Sequence, residues 1–217
     1  MYIISSSCQI ANLAAIYQQY FGNKSDGTFV EVGASDGISF SNTWGLAKMG
    51  WTGLYYEPVH ELYNRCIINH AINKVTVVNA CVGDYNGMVK LFLGSNPTID
   101  EETIRKEPWD THYTENNSIM VPIVTLNDDL PKHAWPEKFD LLCVDVEGAE
   151  LQVLRGIDLQ HYQPRMIILE LCENHPVPKK RMHVDEINKH MNVQLYTKIQ
   201  SDTVNAIYWR NDAKRLG

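Results

Sequence analysis

Two spacings of apolar residues divide the chain. In residues 9–21 the apolar positions Ile10, Leu13, Ala14, Ile16, Tyr17 and Tyr20 fall on one face of a helix, which the polar stretch NKSDG ends. Beyond it, the runs TFVEV, TGLYY, KVTVVNACV, FDLLCVDV and RMIILELC are mostly apolar on successive positions instead of alternating. Parallel strands covered on both faces require that pattern. Between the runs the spacing predicts helices over residues 40–48, 59–71, 149–156 and 178–191. The resulting β-α-β alternation predicts an α/β fold on a doubly wound, mostly parallel sheet.

The pattern changes after VGDYNG. MVKLFLG and SIMVPIV read as an added β-hairpin before the fourth strand, joined by a polar connection over residues 95–118. Connections of that length are functional lids or disordered segments. VQLYTKI and VNAIYWR around QSDT read as a closing hairpin that sets an antiparallel C-terminal strand at or near the sheet's edge.

Composition narrows the class. An apolar fraction of 44% in 217 residues suits one large core, so a single domain over residues 1–217 is expected. The formal charge of −7 and the scatter of basic residues argue against gripping a phosphate backbone, so no nucleic-acid partner is expected. The one basic group, Lys179, Lys180 and Arg181, reads as the solvated first turn of a helix. Cys8, Cys66, Cys81, Cys143 and Cys172 form no CxxC pair and read as reduced thiols. The opening MYIISSSCQI lacks a basic n-region, and no stretch approaches the roughly 18 apolar residues of a membrane span. A soluble, cytoplasmic protein is expected.

The chemistry begins in FVEVGASDGISF. Ligands of open α/β sheets bind outside the carboxyl ends of the strands, and Gly33 and Gly37 allow a tight turn there that can aim amide N–H groups outward. Glu57, 20 residues past Gly37 at the end of the second strand, is placed to accept hydrogen bonds from ribose hydroxyls. A dinucleotide turn would read G-x-G-x-x-G, but Ser35 takes its second glycine position and Glu31 precedes the turn. A carboxylate there repels a pyrophosphate and suits a ligand with a cationic amino-acid end, which S-adenosylmethionine has.

The E-x-G-x-x-D-G loop, the SNT of Ser41 to Thr43, the GW before the second strand, the EP of Glu57 and Pro58, and above all DLLCVDVEGAELQVLRGID resemble the FkbM-type methyltransferases over about residues 27–210. The resemblance implies the class I methyltransferase (Rossmann-like) fold, a seven-stranded sheet with helices on both faces, and S-adenosylmethionine as cofactor. It places Glu31, Gly33, Ala34, Ser35, Asp36, Gly37 and Ser41 at the methionine end, Glu57 and Pro58 at the ribose, and Asn79 and Ala80 beside the adenine, with Asp145 also in contact. Ser35 departs from the broader class I loop, which has a glycine there.

A second group of acids ends the fourth and fifth strands. Asp145 follows FDLLCV, Glu147 lies two residues on, and Glu170 follows MIIL, so these carboxylates converge beside the cofactor site. They would either hold a hard cation such as Mg²⁺ or supply a general base, for which Asp145 is the first choice. Glu150 already has a structural reason at a helix start. His175 and His112 are further candidates near an acceptor, as are Trp109 and Tyr113; Trp44, Trp51 and Trp209 read as packing residues. The leading reading is O-methyl transfer to a hydroxyl of a sugar, glycan precursor or other polar small molecule. A non-catalytic cofactor-binding partner protein and a nicotinamide-dependent reductase are the alternatives, the latter short of its glycine turn.

Overall fold

Alternate side chains of each central strand enter two different cores, which explains why the strand sequences are apolar throughout. The computed structural model describes residues 2–94, 96–101, 114–174 and 183–216. In chain order the elements are α1 (Leu13–Phe21), β1 (Thr28–Val32), α2 (Trp44–Lys48), β2 (Thr52–Tyr56), α3 (His60–Asn69), β3 (Val75–Val78), β4 (Cys81–Val82), β5 (Gly87–Phe92), β6 (Ser118–Val124), α4 (Leu126–Asp129), β7 (Leu141–Val144), α5 (Glu150–Arg155), β8 (Met166–Glu170), α6 (Val184–Val193), β9 (Tyr196–Ser201) and β10 (Asn205–Arg210).

Seven strands form one sheet in the order β3-β2-β1-β7-β8-β10-β9, with β10 antiparallel to both of its neighbours and the others parallel. Val30, Val32, Leu142, Val144, Ile167 and Leu169 face a core closed by α4, α5 and α6. Phe29, Leu141, Cys143, Met166 and Ile168 face the opposite core, closed by α1, α2 and α3 with Trp51 and Trp209. The order reverses at β1 and β7, and both send their carboxyl ends to one rim.

The added hairpin is the antiparallel pair β5 and β6, and it gains a third strand because β4 pairs with β6. KVTVVNACV is therefore two strands and not one. Between them Asn79 donates from Nδ2 to the carbonyls of Glu57 (2.8 Å) and Pro58 (3.0 Å), which turns the chain away from the large sheet.

Helix starts also differ from the apolar spacing. Asn12 has a left-handed φ of 60°, so α1 begins at Leu13. Phe40 has φ 59°, and Ser41 Oγ accepts from Trp44 N (3.0 Å), so α2 begins only at Trp44. Helix α4 is an addition, capped by Thr125 Oγ1 accepting from Asp128 N. Of the helix expected over 178–191, the first residues lie outside the described ones. No helix among the described residues is long and apolar enough to cross a membrane.

Candidate active site

The turn after β1 spends its amides on the protein. Gly33 N and Ala34 N both donate to the Tyr56 carbonyl at 3.0 Å, Gly37 N donates to Ala34 O at 2.8 Å, and Ser35 N donates to Glu57 Oε2 at 2.8 Å. This corrects the expectation of amides aimed outward at a ligand. The glycines are needed for packing: a β-carbon on Gly33 would stand 1.7 Å from the Asp145 carbonyl oxygen, and one on Gly37 2.7 Å from Cys66 Sγ and His70 Nε2. Both also have positive φ, 85° and 76°.

Asp36 holds the turn with its own side chain, accepting from Ile38 N (2.9 Å), Ser39 N (2.7 Å) and Ser39 Oγ (2.9 Å). His70 Nε2 donates to Gly37 O at 2.8 Å, and burial pushes its pKa down. Asp36, Gly37 and Asn79 shape the loops from behind and do not line the cavity described below.

Glu57 leaves β2 with both oxygens engaged once, Oε2 by Ser35 N and Oε1 by Val59 N (2.8 Å each), so each keeps a lone pair. Burial raises its pKa to about 7 although the two amides pull it down. Glu31 points to the α2 side because strand alternation puts it on the Phe29 face. There Thr43 Oγ1 donates to Oε2 at 2.5 Å, Ser41 Oγ donates at 3.1 Å, and Tyr55 OH lies 2.8 Å from Thr43 Oγ1. Burial raises Glu31 to about 7, against the pull of the Thr43 and Ser41 hydroxyls.

At the ends of β7 and β8, Asp145, Glu147 and Glu170 bring carboxylate oxygens within 4.8 Å of one another. Asp145 continues the parallel pairing, its N–H donating to Val32 O at 3.0 Å. Glu147 and Gly148 then take positive φ, 54° and 107°, and Glu150 Oε1 accepts from Val146 N and Gly148 N at 3.1 Å each. Glu150 thus anchors the acidic turn from behind. Burial and the neighbouring Asp145, Glu147 and Glu150 charges hold the Glu170 pKa well above the carboxylate range. Burial also raises Asp145, while a hydrogen bond from Glu170 opposes that rise. Crowding these acids at the buried strand ends thus favours the uncharged form of both Asp145 and Glu170.

These groups open into one cavity of about 620 Å³ over the carboxyl ends of the strands. Of the site residues expected from the sequence, Glu31, Gly33, Ala34, Ser35, Ser41, Glu57, Pro58, Ala80, Asp145, Glu147 and Glu170 line it. Its described lining holds five carboxylates and no Lys, Arg or His. The residues 96–99, with Thr98 Oγ1 donating to Glu147 O at 2.9 Å, add a wall drawn from the long polar connection. Gln9, Phe40, Asn42, Tyr56 and Val204 also line it and escape the sequence reading, because Gln9 and Phe40 fall inside stretches with helical spacing. His175, His112, Trp109 and Tyr113 lie outside the described residues.

A model of the methyltransferase FkbM domain matches residues 31–197. The chain belongs to the FkbM methyltransferase family. It is 36% identical to Methyltransferase sdnD of Sordaria araneosa over 148 residues, 55% of this chain and 57% of that protein. It is 38% identical to Methyltransferase 1 of Beauveria bassiana (strain ARSEF 2860) over 61 residues, 28% of this chain and 24% of that protein. The FkbM chain thus spans about half the length of the first relative and about a quarter of the second. Among solved structures the METTL16 MTase domain superposes with a TM-score of 0.51 at 11% identity, covering 98% of this chain and 74% of that one. That likeness is one of fold, the Rossmann-like class I methyltransferase sheet.

Proposed function

We propose that this FkbM protein binds S-adenosylmethionine and transfers its methyl group to a hydroxyl of a sugar, glycan precursor or other polar small molecule. The observation that carries the reading is the charge of the cavity: five carboxylates and no described basic residue favour a cationic cofactor and disfavour a pyrophosphate. The inward-turned amides of residues 33–35 add to this, because they leave no anion nest of the dinucleotide kind.

The residues present fit the cofactor. Glu57, with one free lone pair on each oxygen, would accept both ribose hydroxyls, and Ala80 with Pro58 would border the base. Glu31, Asp145 and the turn after β1 would surround the cationic end. Bound S-adenosylmethionine supplies a methyl group already activated by its sulfonium, so the protein's task is placement and proton removal. Asp145 takes the acceptor's hydroxyl proton, and Glu170 steadies the resulting pair through its hydrogen bond.

A second reading for the same acids is a Mg²⁺ site on Asp145, Glu147 and Glu170, favoured by their mutual approach. A cytoplasmic setting accords with free thiols at all five cysteines. Titration calorimetry with S-adenosylhomocysteine and, separately, with NAD tests the reading. Saturable binding of the first alone is expected, and binding of NAD alone overturns it.

A further inference from the structure

The cavity extends well beyond Glu57. From β2, which Glu57 follows, to β10, which follows Val204, the sheet counts four strand spacings, or about 19 Å. With the ribose at β2 and the methyl acceptor's base at β7, the side over β8 and β10 is left for the acceptor. Two further residues of the cavity lining, Phe40 and Gln9, are not needed for the core.

Phe40 is 58% exposed, lines the cavity and has φ 59°, a conformation that costs a bulky L-residue about 1–2 kcal/mol. Neither burial nor local geometry accounts for it. The N-terminal segment, ahead of the FkbM-matched residues 31–197, holds it there: Phe40 N donates to Ser7 Oγ (2.9 Å) and Ser5 Oγ donates to Ile38 O (3.0 Å). Strain of this kind concentrates at functional sites.

Gln9, exposed and from the same segment, also lines the cavity. Its Oε1 accepts from Asn205 Nδ2 at 3.4 Å, and Asn205 pairs across the sheet with Glu170. Among the described residues no hydrogen bond engages the Gln9 amide nitrogen, which keeps its donors for a ligand.

We propose that Phe40 and Gln9 form the acceptor subsite, and that it takes an uncharged hydroxylated ring: Phe40 stacks on the ring's apolar face, Gln9 donates to a hydroxyl, and the nearby Asp145, Glu147 and Glu170 reject anionic rings. The assignment rests on the methyltransferase reading and adds the specificity determinants to it. The N-terminal segment then acts as part of the site.

The test is saturation-transfer NMR on the full chain with S-adenosylhomocysteine bound, using methyl β-D-glucopyranoside and its carboxylate counterpart, methyl β-D-glucuronide, as probes. Saturation of the glucoside's ring protons is expected, at least about threefold stronger than for the glucuronide. Phe40→Ala and Gln9→Ala should each weaken it about fivefold or more, and Phe40→Tyr should retain it. S-adenosylhomocysteine affinity should stay within about twofold in all three variants. Absence of transfer to the glucoside, equal transfer to both probes, or transfer unchanged in both alanine variants overturns the subsite. Failure of the wild type to bind S-adenosylhomocysteine is a different result: it removes the methyltransferase reading, and the subsite with it.

Discussion

The α-carbon of Gly33 faces the carbonyl oxygen of Asp145 so closely that a β-carbon would stand 1.7 Å from it. The glycine turn and the acidic strand end are thereby one packed unit, and the position of Asp145 depends on the absence of a side chain 112 residues earlier in the sequence.

Gly33→Ala is therefore expected to destabilise the protein by several kcal/mol, about 4 or more, since backbone must move and the φ of 85° is strained as well. Gly50→Ala is the control. It has φ 91° but only Ser25 O at 4.0 Å, so it should cost about 1–2 kcal/mol. Chemical denaturation of the two variants checks the difference.

Removing the Glu57 carboxylate should weaken S-adenosylhomocysteine binding. Glu57→Gln keeps an acceptor for one loop amide but loses the charge, and a loss of about 10- to 100-fold is expected, read by calorimetry. Unchanged affinity would remove Glu57 from the ribose site.

Asp145→Asn should lower turnover by about 10²- to 10⁴-fold, well beyond any accompanying loss of cofactor affinity. In the same assay, Mg²⁺ titrated into the wild type separates the two readings of the acids. Strong activation by Mg²⁺, lost in Glu147→Gln and Glu170→Gln, would assign a metal site; activity insensitive to a chelator leaves Asp145 as the base.

The buried acids also set a pH dependence. Glu31 and Glu57 have folded pKa values raised to about 7 from an ordinary 4.5, and Glu150 behaves alike. Their contribution to stability is fully present below pH 4.5 and is lost as pH rises through about 7. Asp36 and Asp129 have lowered values and act in the other direction, below the ordinary 3.8. The cofactor-free protein should accordingly lose melting temperature between pH 5 and about 7.5, and Glu31→Gln should flatten that slope by on the order of 3 kcal/mol. A thermal melt series in both proteins decides it. An identical slope would mean that Glu31 is already neutral, or fully paired, across the range.

Much of this site is legible in the sequence because strand ends are. Successive apolar residues give the parallel strands, and the rim acids Glu57, Asp145 and Glu170 follow as the first polar residues after them. The failures share one cause, long-range contact. Nothing near Phe40 in sequence reveals that Ser7 fixes its left-handed backbone, and Gln9 reads as helix until Asn12 is seen to turn the chain. Asn79 likewise looks like a ligand contact in the sequence, whereas its amide is spent on the carbonyls of Glu57 and Pro58. The amides of residues 33–35, expected to point outward, instead find acceptors in Tyr56 and Glu57, which only the fold brings beside them.

Strand β7 is the fourth of seven, with partners along both sides, whereas among the described residues β3 and β9 each pair along one side only. Fraying works inward from such flanks, so the amides of β3 and β9 exchange their hydrogens with solvent early and those of β7 late. The acids carried on β7 and β8 thus outlast the rims in any partial opening. The cavity wall at Ala80, just past the outer strand β3, loosens sooner than the wall formed by the carboxylates at the ends of β7 and β8.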